Sequence, residues 1–184
     1  ATHLLTGENQ TALTQGYYSD YTKFSDSEAE AIRRYYDYMI RYENLFFDPE
    51  LQDVTMTHTG WDNYEYQCTS HKVSSYGEAG KIWMILREKD YRKCIYLLNL
   101  CGQSEDYWNE GKEEPDTQKD IKFTVQVDTP VERICFSTPD GENMDAVELH
   151  FTEKTTKTGK FIDFTVPSLN YWTTIWIDTR KETI

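Results

Sequence analysis

The sequence predicts a mainly β protein: an antiparallel β-sandwich of about nine strands preceded by one long α-helix. Two observations support this prediction. Short apolar segments alternate with turn residues from residue 50 to residue 178, at the close spacing typical of antiparallel strands. Ahead of them lies one segment with helical start signals. The length of 184 residues suits one domain, or one domain with part of a neighbour.

The helix is predicted over residues 25–47. Ser25 and Glu28 have the spacing of a capping box, and Asp26 adds negative charge at the helix start. Asp48-Pro49 ends the helix. One side is expected to carry Ala29, Ile32, Tyr36, Met39, Ile40 and Glu43, widened by Tyr35, Tyr42 and Phe46. Because the sequence predicts no second helix to cover this aromatic surface, we expect apolar surface around Tyr35, Tyr42 and Phe46 to be exposed in the isolated chain.

A hairpin over residues 82–100 is predicted to be central to the sandwich. Its two strands, 82–86 and 94–100, are apolar at successive positions, whereas strands with one solvent-facing side alternate apolar with polar residues. We therefore expect the hairpin to be covered on both faces, by a second sheet on one and by a further element, for which the helix is the candidate, on the other. The other strands are expected at 54–59, 63–69, 72–76, 121–127, 131–137, 147–151, 161–166 and 173–178.

The composition excludes some classes of function. The chain has 19 Lys and Arg against 32 Asp and Glu, a net charge of -13, so nucleic acid is not an expected partner. No apolar segment approaches the roughly 20 residues that a membrane span needs. The aromatic content of 15% is compatible with carbohydrate binding, since sugars stack on aromatic rings, but Tyr and Trp are also common strand residues.

The sequence contains no catalytic or metal-binding motif. Its four histidines are scattered, and the abundant carboxylates include no pair that stands out as a glycosidase pair. Cysteines occur at positions 68, 94, 101 and 135, without CxxC spacing and without a clustered histidine. A zinc site is therefore not expected, and buried free thiols are favoured over one disulfide.

Three groups of phrases carry a resemblance to a known family. They are HLLTGEN at 3–9 with YY at 17–18, YYDY at 35–38 and RYENL at 41–45; LNLCG at 98–102 with DYW at 106–108; and FTVPSL at 164–169 with YW at 171–172. In these phrases and their order the chain resembles glycoside hydrolase family 66, the dextranases and cycloisomaltooligosaccharide glucanotransferases.

The resemblance implies that the chain is the C-terminal part of a longer enzyme, and the start at Ala1 without an initiator Met agrees with that expectation. Residues 1–48 would be the exit loop and last helix of an upstream (β/α)8 barrel, and residues 49–184 a C-terminal antiparallel sandwich that supports it. The family's enzymes act on α-1,6-glucan with retention, and their catalytic Asp and Glu would lie upstream. We expect no catalytic residue here, no activity of the chain by itself, no metal and no cofactor.

The resemblance also implies candidate substrate-binding residues. The loop after the last barrel strand lies at the face where barrel active sites form, which makes His3, Glu8 and Asn9 candidates to line the sugar site of the intact enzyme. It further implies a secreted or cell-envelope protein, whether extracellular or periplasmic.

Two alternatives remain open from the sequence. One is a free-standing carbohydrate-binding sandwich, with Tyr107, Trp108, Tyr171 and Trp172 as stacking residues. The other is a structural interaction module with no role toward sugars.

Overall fold

A computed structural model describes residues 24–58, 64–107 and 111–180. The chain forms two compact units, Ala1–Asp48 and Pro49–Ile184. The candidate sugar-binding residues His3, Glu8 and Asn9 lie outside the described residues, as does Trp108.

The first unit contains the predicted helix. Helix α1 spans Asp26–Arg41, and after a break at Tyr42 the short helix α2 spans Glu43–Phe46. The capping box is present: the Ser25 backbone N–H donates to Glu28 Oε2 at 2.8 Å, and the Glu28 backbone N–H donates to Ser25 Oγ at 3.3 Å. These two bonds satisfy backbone donors that the first helical turn leaves without partners.

The buried side of the helix differs from the predicted one. Tyr38 is fully buried, with its ring centroid 5.1 Å from that of Tyr42 and 5.8 Å from that of Phe46. Ile40 was predicted to lie on the buried side and is 67% exposed. The buried residues are Tyr38 and Met39 in α1 and Leu45 and Phe46 in α2. Met39 was on the predicted side, whereas the sequence pattern had placed Phe46 at its margin. The expected exposure of Phe46 was also wrong, and Phe47 is exposed instead.

The second unit is an antiparallel β-sandwich, as predicted. Its elements are β1 (Gln52–Asp53), α3 (Thr55–His58), β2 (Tyr66–Cys68), β3 (Val73–Ser74), β4 (Ile82–Lys89), β5 (Arg92–Asn99), β6 (Gln118–Gln126), β7 (Val131–Ser137), β8 (Val147–Leu149), β9 (Phe151–Thr156), β10 (Gly159–Leu169) and β11 (Trp172–Thr179). The described residues thus contain eleven strands, two of them only two residues long.

The strands form two sheets. The seven-stranded sheet has the order β1-β4-β5-β11-β7-β8, with β3 pairing parallel to β4. The four-stranded sheet has the order β2-β6-β10-β9. Apolar side chains of both sheets form one core, which includes Leu86, Leu97 and Ile175 from the larger sheet and Phe123 and Phe164 from the smaller one.

The hairpin β4–β5 is buried on both faces, as its sequence predicted. Met84 and Leu97 are register partners that face the core between the sheets. On the opposite face, Ile85 pairs with Tyr96, and both are also buried. The sequence pattern therefore predicted burial of both faces of this hairpin correctly.

Three predicted strands were wrong in part. Within the predicted strand 54–59, Thr55–His58 forms the short helix α3 instead. Asp53 Oδ1 accepts the Thr55 N–H at 2.9 Å, and Thr55 Oγ1 accepts the Leu86 N–H at 2.9 Å. The chain therefore leaves the sheet after the short pairing of β1 with β4 and forms a helical turn. Asp and Thr side chains favour such a change because their oxygens accept backbone N–H groups in place of a strand partner.

The segment 147–151 was predicted as one strand and is divided at His150 between the two sheets. Strand β8 pairs with β7 and β9 pairs with β10, which leaves Val147 exposed on a sheet edge. The strand predicted over 161–166 is longer than expected, because β10 continues through Pro167 to Leu169. Proline has no backbone N–H to donate to a neighbouring strand. The pairing of β10 with β9 ends at Phe164, so at Pro167 no strand pairs with β10 on that side.

Candidate functional site

The larger sheet has two ends with different chemistry. Trp172 of β11 pairs with Leu98 of β5, and six residues later Asp178 pairs with Arg92. At about 3.3 Å per residue, the two ends are roughly 20 Å apart. We call them the crossing end (residues 99–102, 116, 138–140 and 169–172) and the hairpin-tip end (residues 88–93 and 178–180).

Asn99 holds the crossing end together. The chain passes between the two sheets twice here, from β5 to β6 and from β10 to β11. The Asn99 Nδ2 group donates to the carbonyl oxygens of Asp116 at 2.9 Å, of Asn170 at 2.7 Å and of Leu169 at 3.3 Å. Its Oδ1 accepts the Cys101 N–H at 3.0 Å. One buried side chain therefore satisfies backbone groups on both passages.

Asp140 and Gly102 support the same end. Asp140 Oδ2 accepts the backbone N–H groups of Tyr171 at 2.9 Å and of Trp172 at 2.7 Å. Gly102 has φ +82, and a Cβ at this position would meet Asp116 Oδ2 at 3.0 Å. A residue other than glycine would be strained here. The phrases LNLCG and FTVPSL–YW thus meet in space, and their polar and glycine residues shape the two passages.

Three of the four stacking residues proposed for the carbohydrate-binding alternative, Tyr107, Tyr171 and Trp172, lie in the part of the chain that the structure describes. Trp172 is fully buried, with no exposed ring face for a sugar, so this prediction was wrong. Trp172 belongs to β11, an inner strand of the larger sheet that lies between β5 and β7. Tyr107 and Tyr171 are exposed. The buried part of the Tyr171 side chain, with the nearby negative charges of Glu114 and Asp140, raises the pKa of its hydroxyl.

The hairpin-tip end contains a cleft of about 1020 Å³. It is lined by Glu50, Gln52, Val54, Glu88, Lys89, Asp90, Tyr91, Arg92, Lys93, Asp128, Thr129, Thr179 and Arg180. Its volume lies at the upper limit of ordinary ligand pockets. The hairpin tip is bonded to the end of β11, because the Tyr91 carbonyl accepts the Thr179 N–H at 3.0 Å.

A polar triad closes the core beside this cleft. Glu88 and Lys93 are register partners, and Lys93 Nζ donates to Glu88 Oε1 at 2.7 Å. The hydroxyl of Tyr66, from the other sheet, donates to the same carboxylate oxygen. Lys93 Nζ also lies 5.3 Å from the centroid of the Tyr66 ring. Burial and the neighbouring Glu88 charge raise the pKa of Tyr66 well above its usual value. Because the Glu88 carboxylate already accepts two bonds, this arrangement suits a structural cap better than a general base.

A second ion-pair group lies on the outer side of the same end. Asp178, 8% exposed, accepts Arg92 Nε at 2.6 Å and Arg133 Nε at 2.9 Å, one on each carboxylate oxygen. The sequence analysis missed these groups. Its one usable signal was strand alternation, since Glu88 and Lys93 share the inward parity of Leu86 and would have been predicted to be buried as a pair.

The cysteines are free thiols, as favoured from the sequence. Cys94 and Cys135 are buried on either side of Trp176, with which both pair in register. Within the described residues, no group of His, Cys, Asp and Glu side chains is placed to hold a metal ion. None of the described helices combines the length and the apolar character that crossing a membrane requires.

Burial raises the pKa of the Cys94 thiol to about 12, whereas an unfolded thiol ionises near pH 8.5. Since folding raises this pKa, the stabilisation by the neutral thiol is complete below about pH 8.5 and is lost as the pH rises toward 12. We expect Cys94→Ala to flatten the alkaline decline of the free energy of unfolding by roughly 1 kcal/mol per pH unit. Urea unfolding of both proteins, at pH values across this window, measures the difference. Equal slopes would contradict the assignment, and Cys101→Ala, at a half-buried position, is the matched control.

Comparison with known proteins decides the family. The family model described as Glycosyl hydrolase family 66 matches residues 1–176 of this chain. The chain belongs to glycosyl hydrolase family 66. This confirms the resemblance of the three groups of phrases. The matched region of this family 66 chain contains the helix and the sandwich up to residue 176, within β11.

Two curated relatives are cycloisomaltooligosaccharide glucanotransferases from Niallia circulans. They are 29% and 27% identical to the family 66 chain over 180 residues, and each match covers 96% of this chain and 18% of the relative. The chain therefore spans about a fifth of the length of these relatives.

A solved structure has a similar fold. The crystal structure of a Paenibacillus sp. cycloisomaltooligosaccharide glucanotransferase complexed with cycloisomaltoheptaose matches with a TM-score of 0.73 and 23% sequence identity. The match covers 86% of this chain and 23% of that chain. It supports the antiparallel sandwich described above.

Proposed function

We propose that this chain is the C-terminal part of a longer family 66 enzyme that acts on α-1,6-glucan. The observation that carries the proposal is the family match over residues 1–176, combined with the small share, 18%, of each relative that the chain covers. The relatives are named cycloisomaltooligosaccharide glucanotransferases, which supports a glucan as the substrate. The proposed enzyme either hydrolyses α-1,6-glucan or transfers its segments.

In this proposal the chain divides at residue 48. Residues 1–48 are the exit loop and last helix of a (β/α)8 barrel, and residues 49–184 form a sandwich that supports the barrel. The exposed apolar side chains of Ile40 and Phe47 favour this division, since they give the helix unit a surface for further protein. The catalytic Asp and Glu belong to upstream strands, and His3, Glu8 and Asn9 line the sugar site. The enzyme needs no metal or organic cofactor and is secreted or held in the cell envelope.

Activity of the two forms of the protein tests the proposal. The intact protein, purified from its source, is expected to release reducing or cyclic oligosaccharides from dextran, whereas the 184-residue chain alone is expected to release none. His3→Ala in the intact protein is expected to raise KM for dextran, and Ser27→Ala, an exposed change on the helix, is the control. Dextran cleavage by the 184-residue chain, or an intact protein that leaves dextran unchanged, would overturn the proposal.

A further inference from the structure

We propose that the cleft at the hairpin-tip end is a non-catalytic binding site for a neutral α-glucan oligosaccharide. The inference rests on the proposed function for the choice of sugar. The cleft itself rests on the geometry of the second unit.

The first argument is the charge of the cleft. Its lining contains four acids, Glu50, Glu88, Asp90 and Asp128, and four bases, Lys89, Arg92, Lys93 and Arg180. The lining is therefore neutral within a chain of net charge -13. A phosphate, a nucleic acid or an anionic lipid surface would find no excess of positive charge here, and a metal cation no excess of negative charge. This balance favours a neutral ligand.

The second argument is the polar character of that lining. Lys93 pairs with Glu88, and Lys89 Nζ lies 3.6 Å from Glu50. A carboxylate in an ion pair has further acceptor sites, and an ammonium group in an ion pair has further N–H donors. Such pairs can therefore hydrogen-bond to hydroxyl groups while their own charges are already balanced. Exposed carboxylates of Asp90 and Asp128 extend the same surface toward solvent. A polyhydroxylated ligand matches this mixture of closely spaced donors and acceptors.

The third argument is the aromatic ring at the tip. Tyr91 is half-buried and lines the cleft, with Lys89 Nζ 4.6 Å from its ring centroid. Its backbone is fixed by the bond from Thr179. This bond keeps the residue at the cleft, and aromatic rings offer the apolar C–H faces of sugars a matching surface. The volume of about 1020 Å³ has room for several glucosyl units.

Titration of the 184-residue chain with isomaltohexaose by calorimetry tests the site. Saturable binding is expected, and Tyr91→Ala should weaken it about thirtyfold, the loss typical of a central aromatic contact. Tyr91→Phe should keep most of the affinity, because the ring remains. Neither substitution removes the backbone bond to Thr179, and equal urea midpoints for the three proteins check that the fold is retained. Inorganic phosphate, titrated in parallel, should not bind.

Tyr171→Ala distinguishes this cleft from the crossing end. Tyr171 is 43% exposed and lies at the opposite end of the sheet, so its loss should leave the affinity unchanged. Loss of binding in Tyr171→Ala with retention in Tyr91→Ala would overturn the proposal, as would absence of saturable binding. If the intact enzyme is active on dextran but the 184-residue chain does not bind isomaltohexaose, the proposed binding site is refuted and the proposed function is not. Binding by the chain with an inactive intact protein would refute the proposed function instead.

Discussion

Asn99→Ala is expected to lower the free energy of unfolding of the sandwich by about 3 kcal/mol. The substitution removes the donor to three backbone carbonyls and the acceptor of the Cys101 N–H. The Asn99 side chain is buried, and the backbone groups that it bonds lie on both passages between the sheets. A buried group that loses its partner costs about 1–3 kcal/mol, and several are affected together.

The measurement is urea unfolding followed by tryptophan fluorescence. The midpoint should fall with an unchanged slope, because the folded state keeps the same buried surface. Asn170→Ala is the matched control. Its Oδ1 accepts the exposed Thr117 hydroxyl at 3.0 Å, so the same substitution there should change stability by less than about 0.5 kcal/mol. Equal effects of the two substitutions would show that Asn99 does not hold the crossing end.

Asp178→Asn is expected to destabilise the sandwich by about 3 kcal/mol. The carboxylate bridges two guanidinium groups, and the Arg92 side chain is only 12% exposed. Without the negative charge, Arg92 is left buried beside a neutral amide. Removing one partner of a buried ion pair is costly mainly because of the charge that remains. Arg133 is 55% exposed, so its share is screened by solvent and contributes little.

The matched control for this prediction is Asp163→Asn. Asp163 pairs with Lys154 at 2.7 Å, but its side chain is 40% exposed, on the outer face of the smaller sheet. The expected cost there is below about 1 kcal/mol. Thermal unfolding of both variants gives the comparison. If Asp178→Asn melts at the same temperature as Asp163→Asn, the buried bridge is not an important source of stability.

The sequence contained enough information for the parts of the fold that depend on long apolar patterns. The hairpin β4–β5 was predicted with both faces buried, because apolar residues at successive positions can only be explained by cover on each side. The capping box at Ser25 and Glu28 was equally readable, since it depends on residues three positions apart. The alternation of Ile121, Phe123 and Val125 predicted β6 and its inward face.

The errors arose where distant residues decide the outcome. Helical periodicity cannot say which of two apolar sides is buried, and Ile40 proved to be on the exposed one. The division of 147–151 between two sheets follows from the pairing partners of β8 and β9, which no local pattern specifies. Trp172 was taken for a surface ring because an aromatic residue after a turn is compatible with either environment.

The candidate sites were the least predictable features. The bonds of Asn99 join segments 17 and 71 residues away, and its neighbours Leu98 and Leu100 read only as part of an apolar strand. The cleft at the hairpin tip needs β1, the β6–β7 turn and the end of β11 to meet, which depends on sheet order. Sequence phrases indicated the family, whereas the roles of their residues became readable only from the contacts.

The mass of the native protein that carries this sequence, with peptide mapping of the region before Ala1, tests the central claim most directly. The 184-residue chain has a mass of 21.8 kDa and covers 18% of its glucanotransferase relatives. The account predicts a native polypeptide several times heavier, with a barrel-sized region that precedes Ala1. A native protein of 21.8 kDa would contradict it and would make an independent sandwich module the better description of this family 66 chain.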